Sequence, residues 1–111
     1  MGKKDIQKYL QDVLLAIDNI EKIAIHFKLK DFDNIPTKWA IERGISIIGE
    51  ALYKANNLNR TLAITNITKI IATRHIVIHD YDIIDDARLL AIVNIHLPIL
   101  KQEVKTILNN S

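Results

Sequence analysis

The sequence predicts an all-α fold, an antiparallel four-helix bundle closed by a short fifth C-terminal helix. Three observations predict it. Apolar residues recur at alternating steps of three and four, which is the spacing of a helix face and not of a strand. The two prolines, Pro36 and Pro98, stand where these patterns break or restart. The 111 residues suit one domain, 1–111, with no internal repeat and no low-complexity linker to divide it. Isoleucine is abundant, and each β-branched residue costs a helix about a few tenths of a kcal/mol, so periodicity has to outweigh propensity here.

Ile6, Leu10, Val13, Ile17, Ile20, Ala24 and Phe27 form one stripe of a first helix over about 5 to 28. At 1.5 Å per residue such a helix is roughly 36 Å long, enough for the long wall of a bundle or a dimer face. The polar stretch Lys28 to Pro36 ends it, and Pro36 opens a second helix. From Thr37 to about Asn56 two apolar stripes run together, Ile41/Ile45/Ile48/Leu52/Ala55 and Ala40/Gly44/Ile47/Ala51. That pattern predicts a central helix buried on two sides. Gly44, Gly49 and Ala51 would let a neighbour approach closely, at about 1 kcal/mol of helix propensity per glycine. Trp39, the single tryptophan, is expected to anchor packing, with a dimer contact as the second reading.

Asn56, Asn57 and Asn59 make a polar connection, after which Leu62, Ile67, Ile70, Ile71 and Ile78 predict a third helix from about 61 to 79. The run His75-Ile76-Val77-Ile78-His79 can also be read as a strand. Asp85 is the expected N-cap of a fourth helix, with Asp86 in its first turn. Pro98 should kink or break that helix near Ile95 to Leu97, leaving a last piece to about Leu108.

Composition narrows the chemistry. The absence of cysteine excludes disulfides, thiolate metal sites and cysteine nucleophiles together. Lys and Arg number 15 against 13 Asp and Glu, a net charge of +2, so nucleic-acid binding would need a local cluster and not an overall field. No apolar run approaches the roughly 18 residues of a membrane span, and Met1-Gly2-Lys3-Lys4-Asp5 leads into no signal-like stretch. A cytoplasmic protein without membrane contact is the expectation.

The segment Arg74-His75-Ile76-Val77-Ile78-His79-Asp80-Tyr81 gathers a fixed cation, imidazoles and a phenol within eight positions. Metal-free RNA cleavage needs a base for the ribose 2′-hydroxyl proton and a cation for the crowded, anionic phosphorane. His79, with an intrinsic pKa of roughly 6.5, suits the first task. Arg74 suits the second through paired, charge-assisted hydrogen bonds. On a straight helix Arg74 and His79 lie about 140° apart, whereas Arg74 and Tyr81 nearly coincide. Two copies meeting across a two-fold axis would close this loose arrangement, which predicts a functional homodimer.

Plainer readings exist for the same residues. Arg74 could complement the end of a helix dipole while Tyr81 packs its ring against the bundle. His75 and His79 at i, i+4, with Asp82 nearby, resemble half of a metal site, but no glutamate stands in the zinc-protease position and no third ligand recurs at a fixed spacing. Neither metal nor cofactor is expected. His26 and His96 read as core-edge or surface residues, and Tyr9 and Tyr53 as tyrosines without an activating partner.

The pattern Arg-x4-His-x-Tyr, carried by Arg74, His79 and Tyr81, resembles the signature of the HEPN superfamily and in particular of HepT-type toxins. His75 fits the polar position after the arginine and is a possible auxiliary residue. Ile41-Glu42-Arg43 followed by Ile47-Ile48-Gly49-Glu50-Ala51 resembles the family's second helix, and Leu97-Pro98-x-Leu100 its C-terminal helix, so the similarity covers nearly the whole chain. The resemblance implies a HEPN-like helical bundle acting as a homodimeric, metal-independent RNA endonuclease, the toxin of a prokaryotic toxin–antitoxin pair. Its implied partner is a minimal nucleotidyltransferase antitoxin that silences it by transferring AMP from ATP to Tyr81. Bulky anionic phosphates at that position would block and repel an RNA backbone. Asp80, Asp82, Asp85 and Asp86 crowd the same region and oppose RNA, so Lys28, Lys30, Lys38, Arg43, Lys54, Arg60 and Lys69 would have to line the cleft. The alternative from another class is a non-catalytic helical binding module that regulates, or presents substrate to, a nucleotidyltransferase.

Overall fold

In the computed structural model the described residues are 2–24, 35–79 and 86–110, with the side chains of 35, 75–79 and 86 outside the description. Every regular element among them is helical: α1 Gly2–Ala24, α2 Ile35–Leu58, α3 Ile67–His79, α4 Asp86–Ala91, and α5 Leu97–Asn109 reached through a π-helical turn, Ile92–His96. The stretch His75 to His79 is helix, which settles the strand alternative. The expected Phe27 end of α1 and the Asp85 cap lie outside the described residues. Asp86 does fall in the first turn of α4.

The α1 stripe is buried as its spacing predicts, with Leu10, Val13, Ile17 and Ile20 almost fully removed from solvent. It packs on the Ile41/Ile45/Ile48/Leu52/Ala55 stripe of α2, every member of which is buried. The two helices run antiparallel, since Gly44 meets Ile20 while Lys54 reaches the Tyr9 ring farther along. On its other side α2 packs on α3, and α5 packs on α1. The position of α2 between α1 and α3 makes it the centre of the bundle. The second α2 stripe departs from expectation: Ala51 is buried, but Ala40 is exposed and Ile47 is 40% exposed. Trp39 is 67% exposed and anchors no core. With Leu15 of α1, also exposed, Trp39 and Ile47 give the α1–α2 face an apolar character among the described residues.

One further expectation is corrected. The third helix begins at Ile67, not near 61. Asn59 accepts hydrogen bonds from the Thr61 backbone N–H and hydroxyl at 2.9 and 2.6 Å, which turns the chain away from helix. The Ile64 N–H donates to the Leu62 carbonyl at 2.8 Å in a tight turn, and Asn66 adopts a left-handed φ of 57°. Leu62 and Ile64 still pack on the core, so their hydrophobicity fits the core but their backbone is not helical. This turn is held from outside by Glu103 of α5, whose carboxylate accepts from the Thr65 N–H at 3.1 and 3.2 Å and from its hydroxyl at 2.7 Å.

Pro98 falls where the C-terminal helical rod, residues 86–109, changes ladder: α4 ends at Ala91, a π turn spans Ile92–His96 and α5 begins at Leu97, at the place expected for a kink or break. The π turn widens the ladder just before the proline, with the Leu97 N–H donating to the Ile92 carbonyl. In a regular α-helix the Pro98 ring would press on the carbonyl four residues back. A wider turn relieves that clash, and Pro98 sits in the first turn of α5 where its missing N–H costs little.

Candidate active site

Arg74 lies two-thirds of the way along α3, on the side that faces α2. What lets it come so close is Gly49: a Cβ at that position would stand 2.9 Å from the Arg74 Cβ and 3.3 Å from its backbone nitrogen. The absence of a side chain at Gly49 thus sets the α2–α3 separation at the point where the arginine emerges. From there the guanidinium runs back over α2. Its Cζ lies 3.6 Å from the centroid of the Tyr53 ring, a close stack. One guanidinium nitrogen lies 3.5 Å from a carboxylate oxygen of Glu50. The arginine side chain keeps only 12% of its exposure, whereas Glu50 keeps 52%.

Gly49, Tyr53 and Asn57 recur at i, i+4 and i+8 and share one face of α2, with Glu50 alongside. A hydrogen bond from Asn57, then a hydrogen bond and the positive charge of Arg74, hold the Tyr53 hydroxyl below the ordinary tyrosine value. Sequence reasoning gave Tyr53 no activating partner, and this is the correction: its partners are Asn57 on its own helix and Arg74 on the next. The signal available was the Gly49–Tyr53–Asn57 spacing, a small residue and an aromatic one turn apart on a helix expected to be approached closely. It did not say which residue of which helix would fill the gap.

Of the residues predicted to carry chemistry, Arg74 is placed in full. His75 and His79 belong to α3, which continues to His79, so their backbone positions are fixed on the same helix as Arg74. On a regular α-helix positions 74 and 79 stand about 140° apart. Tyr81, with Asp80, Asp82 and Asp85, lies outside the described residues. Arg43 and Lys54, together with Lys8, border a groove of about 550 Å³ on the α1–α2 face that Asp12 and Glu50 also line. Lys69 instead joins Arg88 and His96 around a more apolar groove of about 250 Å³ between α2, α3 and the C-terminal rod. Lys28 and Lys30 lie outside the described residues. His96 is exposed, as a surface residue. Among the described residues no three His, Asp or Glu side chains are grouped to hold a metal ion, and no helix is long and apolar enough to cross a membrane.

An all-helical bundle with a largely buried arginine on α3 stacked against α2 is consistent with the helical family that the sequence resembles. A family model described as Ribonuclease HepT-like matches residues 13–107, and the chain belongs to that HepT-like ribonuclease family. Over 109 residues it is 28% identical to the protein named "Putative RNase MJ1380" of Methanocaldococcus jannaschii, an alignment covering 96% of this chain and 100% of that relative. No solved structure matches the chain.

Proposed function

We propose that this protein is a metal-independent RNA endonuclease, the toxin of a prokaryotic toxin–antitoxin pair. The observation that carries the reading is the seating of Arg74: in a member of a ribonuclease family, the first residue of the Arg-x4-His segment is held by close approach to Gly49, by stacking on Tyr53 and by the charge of Glu50. An arginine placed this way, with its donors spread in one plane, suits a phosphate oxygen pair.

The chemistry follows from the residue types. The imidazole of His79 takes the proton of a ribose 2′-hydroxyl, the freed oxygen attacks the adjacent phosphorus, and the bond to the 5′-oxygen of the next nucleotide breaks. The products are a 2′,3′-cyclic phosphate and a 5′-hydroxyl, the latter protonated by an acid in the site or by water. Arg74 neutralises the additional negative charge of the phosphorane. His75 is an auxiliary candidate in the same segment. Because Arg74 and His79 diverge around α3, we assign the working site to a homodimer in which two copies of the segment face one cleft. Lys8, Arg43 and Lys54 supply positive charge for an RNA backbone to offset the aspartates after His79.

Silencing is assigned to a minimal nucleotidyltransferase antitoxin that adenylylates Tyr81, two positions past His79. The decisive experiment is cleavage of total RNA by purified, unmodified protein in EDTA, comparing wild type with His79→Ala and Arg74→Ala. Cleavage by the wild type that both substitutions abolish supports the reading. Cleavage that EDTA abolishes would overturn metal independence. Silence from all three proteins, with mass spectrometry excluding modification of Tyr81, would turn the reading to the non-catalytic binding module.

A further inference from the structure

We infer that Tyr53 is a positioning residue for the ribonuclease site, an aromatic platform on α2 that holds the guanidinium of Arg74 in one plane for the scissile phosphate. The inference rests on the ribonuclease reading above and adds a residue from outside the Arg-x4-His segment to its machinery.

The geometry separates what each neighbour of Arg74 does. Gly49 sets how near the α3 backbone comes to α2, but it touches only the base of the arginine side chain. Glu50 lies 3.5 Å away, longer than the roughly 2.7–2.9 Å of a strong charge-assisted hydrogen bond, and is half exposed, so its hold on the guanidinium is loose. Tyr53 makes the close contact, with 3.6 Å between the guanidinium carbon and the ring centroid. A stack engages the face of a guanidinium, while its N–H donors all point outward along the edge. The ring takes the face of the guanidinium and the Tyr53 hydroxyl takes one edge donor, so one residue fixes the plane from both sides of the contact. A second tight carboxylate in place of the ring would occupy the edge and have to be displaced by RNA.

The ring itself is anchored. Asn57, one turn further along α2, hydrogen-bonds the Tyr53 hydroxyl, and the hydrogen bond and charge of Arg74 act in the same direction, lowering its pKa. Tyr53 also buries little for the fold, being 39% exposed and outside the buried core. An aromatic side chain that contributes little to the core yet stacks at 3.6 Å on Arg74 is placed for that arginine and not for packing.

The test uses the full chain with Tyr53→Ala and Tyr53→Phe, read by steady-state cleavage of a defined RNA in EDTA and by thermal unfolding. Tyr53→Ala should lower kcat about tenfold or more, with kcat/KM falling in step and the unfolding midpoint little changed. Tyr53→Phe, which keeps the ring, should remain within about threefold of wild type. An active wild type whose kcat is unaffected by Tyr53→Ala overturns the inference, as does a loss in Tyr53→Phe equal to that in Tyr53→Ala, which would assign the hydroxyl and not the platform. An inactive wild type overturns the ribonuclease reading instead. The stack is then judged on its own by ultraviolet difference titration of tyrosine in a Tyr9→Phe, Tyr81→Phe background. Ionisation of Tyr53 should move to higher pH when Arg74→Met removes the cation, and an unmoved titration overturns the platform as well.

Discussion

A side chain added at either inner glycine would crowd its neighbours, and the two differ in what they face. A methyl at Gly44 would meet the terminal carbons of Ile20 at 2.7 Å, side-chain atoms that can turn away. One at Gly49 would meet the Cβ and backbone of Arg74, which can yield only if α3 moves. Overpacking costs about 1–3 kcal/mol, while replacing a helical glycine by alanine recovers about 1 kcal/mol of propensity. Gly49→Ala should therefore be destabilising by up to about 2 kcal/mol in urea denaturation, and Gly44→Ala distinctly less. Equal costs at the two positions would mean that α3 is free to shift. A second residue, Lys101, joins α5 to α1 through Glu21 at 2.8 Å, with Asp18 at 3.9 Å. The hydrogen bond from its ammonium to Glu21 raises its pKa above the ordinary 10.5. A raised folded-state pKa means that the pair stabilises fully below the unfolded lysine value and loses its contribution as pH rises through the folded one. The difference in unfolding midpoint between wild type and Lys101→Met should be present at neutral pH and vanish in strongly alkaline buffer. A difference that persists there would place the effect in packing of the lysine stem.

Among the elements, α1 and the inner stripe of α2 were legible in the sequence because one face of each is apolar and the other polar. The start of α3 was not. Leu62 and Ile67 fit a helical spacing, yet Asn59, the Leu62–Ile64 turn and the left-handed Asn66 delay the helix to Ile67. Apolar spacing reports which residues reach the core, and short polar side chains that bond their own backbone decide whether they do so from a helix. In the rod 86–109 the signal was legible: Pro98 reads as a kink or break, and the helix ladder changes just before it in the π turn Ile92–His96. Glu103 makes the delayed start of α3 an element-scale device, since it ties the turn at Thr65 to α5 across 38 positions of sequence. A double-mutant cycle on Glu103→Ala and Thr65→Ala should give a coupling of about 1 kcal/mol, the size of a hydrogen bond to an exposed carboxylate. Coupling indistinguishable from zero would show that the turn holds without α5.

Over the whole molecule, the candidate site is divided between what one segment can announce and what only the fold can bring together. Arg74 and His79 were legible because a cation and an imidazole at fixed spacing on one segment match a reaction. Tyr53, Gly49 and Glu50 were not, because their relation to Arg74 exists only once α2 and α3 pack. The same helix that brings these residues together carries Arg74 and His79 away from each other, about 140° apart. A site contained in one chain would have to bend the side chains around the helix, whereas two chains need only face each other. The α1–α2 face, with Leu15, Trp39 and Ile47 exposed, offers apolar surface for such an association. Complementation distinguishes these arrangements. Arg74→Ala retains His79 and His79→Ala retains Arg74, so neither homodimer can cleave. If the arginine of one copy works with the histidine of the other, mixed dimers of the two variants hold one complete pair and should recover part of the wild-type cleavage in EDTA. Co-expression with two different affinity tags isolates the mixed species, and sedimentation establishes that it is dimeric. Mixed dimers that form and remain inactive would confine the pair to one chain, and a protein that sediments as a monomer while cleaving RNA would remove the two-fold site altogether.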